Sequence, residues 1–309
     1  MEVPSWSQLT VAALGGGLTV KLLDIAYQEI RSRFTQRRSA RKLVDDHLDP
    51  ILKAADEIVG KLRSLAEEDF ASFRRKTAPT EMGIVADQKI LILLYLFARL
   101  WARIELLKQD AIGGSLQKHP KGRLLKQFLD CIESRRVRLV DRGVQRAIGE
   151  TLLDTARTPA SPIYFIEFAE RVQDQRVWQW YKPLHRIATR FQHTQDRQRV
   201  LQYGAVLHAL IDTLDPKHDV TGQRPSWPNK LTRRTVRALQ FRIFGRYLAF
   251  VRTRRKYFQE QEIKKAPRGI LAFRRELYIR WRAFIKVVYA SYTLGSNEQK
   301  AGKRHLHEK

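Results

Sequence analysis

Residues 50–65 read PILKAADEIVGKLRSL, and the apolar positions Ile51, Leu52, Ala55, Ile58, Val59, Leu62 and Leu65 recur at intervals of three and four. That spacing puts them on one face of an amphipathic helix. Asp49-Pro50 suits a helix start, because a proline at the first helical position gives up only an N–H that would lack a partner anyway. The helix is expected to end before Pro79. A second begins near Thr80, with Met82 and Gly83 in its start region, and runs to Gly113-Gly114. Its centre, residues 90–98, is apolar on every side, yet nine residues cover only about 14 Å. Lys89, Arg99, Arg103 and Glu105 bracket it, so it reads as the middle of a bundle and not as a membrane span.

The same periodicity continues downstream. Leu124, Leu125, Phe128, Leu129 and Ile132 predict a helix between Pro120 and Arg138, followed by a short extended piece at 137–140 and a helix over 145–155. In Thr158-Pro159-Ala160-Ser161-Pro162, Ser161 is a candidate N-cap with Pro162 first in the next helix. Helices are expected around 163–174, 177–193 and 196–213, the last carrying Val200, Leu201, Val206, Leu207 and Leu210. Almost nothing alternates with period two, and the fold class is all-α.

From Asp215-Pro216 to Pro228 the chain is polar, with three prolines and a glycine, and marks a domain boundary. Two basic helical stretches follow at 231–258 and 269–292, separated by Ala266-Pro267-Arg268-Gly269.

At the other end, residues 9–20 carry no charge, and Arg31, Arg33, Arg37, Arg38, Arg41 and Lys42 follow. An apolar helix with basic residues on one flank predicts a single-pass anchor with its N-terminus outside and the body in the cytoplasm. A span needs about 20 largely apolar residues. Lys21 and Asp24 interrupt this one, but Lys21 can snorkel to the headgroups and pair with Asp24. Trp6 and Tyr27 sit where interfacial aromatics are expected. Ala12, Ala13, Gly16 and Gly17 form two small-xxx-small pairs that allow self-association in lipid. The competing readings are a buried first helix of a bundle and a targeting segment. A cleaved signal peptide is disfavoured, because the segment before the run lacks a positive charge and no A-x-A site follows. The expected organisation is therefore an anchor and basic juxtamembrane segment at 1–42, a helical bundle at 43–216, and a basic helical region with a polar tail at 217–309.

The three hundred and nine residues carry a net charge of +26, and +18 of it lies in residues 217–309. Such a surface seeks polyanions: acidic headgroups, an acidic protein or nucleic acid. At 43% hydrophobic, with 14 Phe, 10 Tyr and 6 Trp, the chain can bury a core and is not a disordered protein. The single cysteine, Cys131, excludes an intramolecular disulfide and sits in the apolar pattern Phe128, Leu129, Ile132 as a small core residue.

Three motifs carry a family resemblance: Leu48-Asp49-Pro50-Ile51-Leu52-Lys53-Ala54-Ala55; Leu94-Tyr95-Leu96-Phe97-Ala98 with Ile104-Glu105-Leu106-Leu107; and Gln145-Arg146-Ala147-Ile148-Gly149-Glu150. On these, residues 48–215 resemble an uncharacterised family of bacterial membrane-anchored helical proteins. The resemblance implies an N-terminal hydrophobic helix and a cytoplasmic helical body. It implies no activity and carries no catalytic residue.

Little in the sequence promises chemistry. The carboxylate clusters Asp45, Asp46, Asp49 and Glu67, Glu68, Asp69 read as solvated charge on helix ends and faces. His185 and His193 are eight residues apart, about 12 Å along one straight helix, too far to share a metal. His305 and His307 lie in a polar tail, Gly15-Gly16-Gly17 lacks the G-K-[ST] of a phosphate loop, and there is no zinc signature. No catalytic residue, metal ligand or cofactor is assigned.

Two basic features remain. Arg142 and Arg146, at the turn into a helix, could hold an anion, though salt-bridged turn structure accounts for them better. On a helical wheel, Arg234, Arg242, Arg246, Arg252 and Lys256 fall within an arc of about 120°. Phe244, Tyr247, Leu248, Phe250 and Val251 lie opposite, while Arg233, Arg237, Arg254 and Arg255 blur the separation. In the second stretch Arg275, Arg282 and Lys286 share a face against Phe273, Leu277, Trp281, Phe284 and Val288. Basic amphipathic helices suit a membrane surface, an acidic partner or a nucleic-acid backbone. The expected function is a non-enzymatic, membrane-anchored helical protein whose basic cytoplasmic region engages anionic lipid or an acidic protein. The alternative is nucleic-acid binding through the arginines.

Overall fold

In the computed structural model, residues 6–74, 87–111, 116–228 and 230–258 are described, with 6–23, 26, 32, 33 and 74 as backbone only. The described residues belong to one compact unit. Helix dominates the described residues, as the periodicity predicts.

The chain opens with one helix, α1 (Trp6–Glu67), of 62 residues, or about 93 Å at 1.5 Å per residue. Two expectations are corrected here. Pro50 does not start a helix; it lies inside α1. It removes one bond from the ladder, to the carbonyl of Asp46, and Asp46 is exposed, so water can take that carbonyl. The anchor is not a separate element but the leading end of the same helix, and no helix of the described residues is long and apolar enough to cross a membrane. The uncharged run stops at Lys21 and Asp24. Ala12, Ala13, Gly16 and Gly17 lie on the backbone of α1, with side chains outside the described set.

α1 ends where Asp69 and Phe70 take positive φ, 52° and 57°. Such a backbone is costly away from glycine. It turns the Phe70 ring inward, edge-on to Phe191 at 5.0 Å, with Phe73 on the same ring at 5.3 Å. A short α2 (Ala71–Arg74) follows.

Next comes α3 (Gln88–Asp110), capped by Asp87, whose side chain accepts from the Lys89 N–H. The expected start at Thr80 falls outside the described residues, and the cap moves the helix start to Gln88. Ile90, Leu91, Leu93, Leu94, Phe97 and Ala98 are all buried, so this stretch does form the bundle centre. α3 runs antiparallel to α1, tied by Arg99–Glu57 at 2.6 Å at its middle and by His47–Asp110 at 2.9 Å at its C-terminal end.

Around this pair stand α4 (Pro120–Ile132), α5 (Arg142–Thr151), α6 (Phe165–Arg171), α7 (Gln175–Thr189) and α8 (Thr194–Leu214). Ser161-Pro162 does not begin a helix. It forms β2 and pairs antiparallel with β1 (Leu153–Asp154), ending α5 early. Residues 137–140 are the end of a turn followed by a bend, not an extended piece. α8 lies antiparallel to α1: Arg197 approaches Asp69, and Gly204 lies against Leu62. In the core, Trp101 of α3 donates its indole N–H to the Tyr203 hydroxyl of α8 at 3.0 Å, so two buried polar groups satisfy each other.

The expected boundary at 215–228 is not a gap in the packing. Asp215 caps this loop by accepting from the Asp219, Val220 and Thr221 N–H groups and the Thr221 hydroxyl. Trp227 is fully buried against Gly204. Arg224 reaches Asp56 at 2.6 Å, and Arg63 donates to the carbonyls of Pro225 and Ser226.

Candidate anion-binding surface

Residues 231–258 contain nine Lys and Arg and no Asp or Glu. They form an arm along the body. Gln198 of α8 clamps its entry, donating to the Lys230 carbonyl and accepting the Thr232 N–H, both at 2.8 Å. Thr232 caps α9 (Arg233–Arg237), a single turn of α-helix. The expected continuous helix then gives way to a π-helix over Ala238–Tyr247, closed by Leu248 N–H to the Ile243 carbonyl. Gly245 permits the wider ladder, since a β-carbon there would stand 3.0 Å from the Gln240 carbonyl oxygen. A 3-10 turn, Arg254–Tyr257, ends the arm.

The buried side of the arm consists of Leu239, Ile243, Phe244, Leu248, Val251, Tyr257 and Phe258. Phe250 stands edge-on to Phe128 of α4 at 5.4 Å, and Phe244 stacks on Tyr257 at 5.6 Å. The far end is latched to α8. Asp212 receives Lys256 Nζ at 2.8 Å and the Tyr257 hydroxyl at 3.0 Å, with His208 and His218 each 3.7 Å from its carboxylate. Burial pushes the Tyr257 hydroxyl above its ordinary range and pushes His208 down to about 4. Asp212 raises His208 against that trend, while Lys256, Arg63 and Arg224 add to the depression.

The outer side carries Arg233, Arg234, Arg237, Arg242, Arg246 and Arg252, all exposed, and none has an ion-pair partner among the described residues. Two aromatics stand out with them: Phe241 is 64% exposed and Tyr247 41%. Phe244, Leu248 and Val251 point inward as the wheel predicts, and Arg234, Arg242, Arg246 and Arg252 point outward. Two residues are corrected. Lys256 is half-buried and spent on Asp212, and Tyr247 faces solvent, because the i→i+5 ladder rotates positions away from an α-helical wheel. Arg275, Arg282 and Lys286 lie outside the described residues.

Arg142 and Arg146 are the second basic pair, and carboxylates already occupy them. Arg142 pairs with Glu133 at 2.8 Å, and Arg146 with Glu150 at 2.8 Å and Glu105 at 3.9 Å. Lys108 bridges Glu105 and Glu133. Three cations face three carboxylates beside a cleft of about 300 Å³, which leaves no surplus charge for an outside anion.

Scans against protein-family models, curated proteins and solved structures return no match to this chain. The three resemblance motifs occupy the packed seams between α1, α3 and α5: Ile51 and Leu52, Leu94 and Phe97, and Ile148 and Gly149 are buried. Burial pushes the Cys131 thiol up to about 12, which keeps it protonated and a poor nucleophile. His185 stacks edge-on to Trp178 and His193 is exposed. Among the described residues no group of three His, Cys, Asp or Glu is placed to hold a metal.

The sequence reading missed Asp212. Its partners, Lys256 and Tyr257, follow 44 and 45 residues later, so no local spacing announces them. An aspartate among Leu207, Leu210 and Ile211 was the one available signal.

Proposed function

We propose that this is a non-enzymatic, membrane-anchored helical protein whose arm binds anionic lipid headgroups. One observation carries the reading: six exposed arginines without an ion-pair partner among the described residues share the arm with exposed Phe241 and Tyr247, and residues 231–258 hold no carboxylate. Arginines supply charge to the phosphates, and aromatic side chains favour the headgroup level. The uncharged run 9–20 at the head of α1 supports attachment to the bilayer, and the arginines that follow it supply charge for the same leaflet. Each Arg near an acidic leaflet contributes about 1 kcal/mol.

The test is flotation of the full chain with vesicles. Binding should need acidic lipid and weaken with salt. Replacing Arg242, Arg246 and Arg252 by Gln should weaken it about a hundredfold, with the body still folded because these residues face solvent. Equal binding to neutral and acidic vesicles, unchanged in the triple variant, would overturn the reading. Exposed Phe241 among arginines also suits base stacking on single-stranded nucleic acid. If the triple variant loses a saturable RNA or DNA complex and keeps lipid binding, that second reading replaces the first.

A further inference from the structure

Ala40 is the first buried side chain of α1 among the described residues. From residue 24 to that point every described side chain is exposed, and the apolar ones are not scattered. Tyr27, Ile30 and Phe34 fall within an arc of about 60°. Arg38 and Arg31 border this stripe on one side, with Asp24 next beyond them and held by Gln28 at 3.2 Å, and Arg37 borders the other, all exposed. Gln28, Glu29, Thr35, Gln36 and Ser39 occupy the far side, with Ile25 the one apolar exception. The body touches this segment from that polar side: Lys118, just before α4, donates to the Gln36 side-chain oxygen at 2.6 Å. The apolar stripe is left clear.

We infer that residues 24–38 of α1 lie along the surface of an anionic lipid bilayer, with Tyr27, Ile30 and Phe34 inserted and Arg31, Arg37 and Arg38 on the phosphates. The inference rests on the membrane reading above and adds a second contact to it, independent of the arm. Charge complementarity selects the occupant. A second copy of the helix on the same stripe would set arginine borders against arginine borders, and like charges at those positions repel. An acidic headgroup layer meets both borders with opposite charge, and the long arginine side chains can reach up to it while the stripe sinks. No glycine or proline interrupts residues 24–40, so the segment meets the surface as one straight piece.

The sole native cysteine is buried, so introduced cysteines can be labelled selectively. In the full chain, Ile30→Cys and Phe34→Cys on the stripe, and Gln28→Cys and Ser39→Cys on the far side, are coupled to an environment-sensitive fluorophore. With vesicles of mixed phosphatidylcholine and phosphatidylglycerol, the stripe labels should shift to the blue and the far-side labels should not. Pure phosphatidylcholine should shift neither. Replacing Tyr27, Ile30 and Phe34 by Gln should lower affinity about a hundredfold, whereas Ile25→Gln should leave it unchanged. Equal shifts on both faces would mean the helix is immersed all round, and vesicle binding with wet stripe labels would mean the arm acts alone. Each overturns the inference while leaving the arm reading standing. Disulfide formation between copies at Ile30→Cys, in place of a lipid shift, would assign the stripe to a second copy instead. No vesicle binding by the unmodified chain would remove both readings.

Discussion

The backbone of Gly149 on α5 rests on the main chain of Trp101 on α3, so near that a β-carbon would stand 2.9 Å from the Trp101 carbonyl oxygen. Backbone atoms cannot swing aside as a side chain can. Gly149→Ala should therefore push the helices apart and cost about 1–3 kcal/mol. Thermal denaturation of the full chain reads this directly, with Gly143→Ala as the comparison, since a β-carbon there meets nothing nearer than 3.6 Å. Equal melting temperatures for the two variants would contradict the close approach.

Gly204 makes the matching contact for the arm-side loop. A β-carbon there would lie 2.5 Å from the Trp227 ring and 2.9 Å from Leu62. Gly204→Ala should displace Trp227 and expose it, seen as quenching of buried tryptophan fluorescence by acrylamide. Unchanged quenching would mean that Trp227 does not sit on Gly204.

Asp212 should govern how firmly the arm is held. Asp212→Ala strands Lys256 and the Tyr257 hydroxyl and should cost about 2–4 kcal/mol. Trypsin should then cut at Arg254 or Arg255 well before it cuts the body. If the cut sites stay protected, Phe244, Leu248 and Phe258 hold the arm without the latch.

His208 sets a pH window. Unfolded, it takes a proton near 6.5; folded, burial first, and then Lys256, Arg63 and Arg224, hold it at about 4 against the pull of Asp212. The unfolded chain thus binds the extra proton, and stability falls as pH drops from 6.5 toward 4, by up to about 3 kcal/mol. Denaturant unfolding across that range should show the loss, and His208→Phe should flatten it. Asp215 acts lower down. Burial alone would raise its carboxyl, but its bonds from Thr221, Val220 and Asp219 hold it below the ordinary value. Its contribution is present above the unfolded carboxylate pKa and is lost as pH falls through the lower folded one.

The helical body was legible because buried helices write their periodicity locally. Residues 90–98 announced a core, and Cys131 and α8 fell where the apolar spacing put them. Pro50 misled because a proline gives the same signal at a helix start as at a tolerated interior break beside an exposed turn. Ser161-Pro162 misled because its strand partner, Leu153–Asp154, lies across a loop and no period marks the pairing. For the arm, the charge was plain in the sequence, but the wheel assumed 100° per residue, and the π-helix moved Tyr247 outward. Lys256 left the basic face for an acid that only the tertiary fold brings near.

α1 passes from its exposed end into the core with no glycine or proline between residues 24 and 49. A helix of that kind is a shaft without a soft joint. If its outer end is gripped, a twist about its axis arrives at Val44 and His47, ahead of Pro50, almost undiminished, and α4 and α3, which meet those two residues, must turn with it. Whatever holds residues 24–38 therefore sets not only where the body sits but which way it faces.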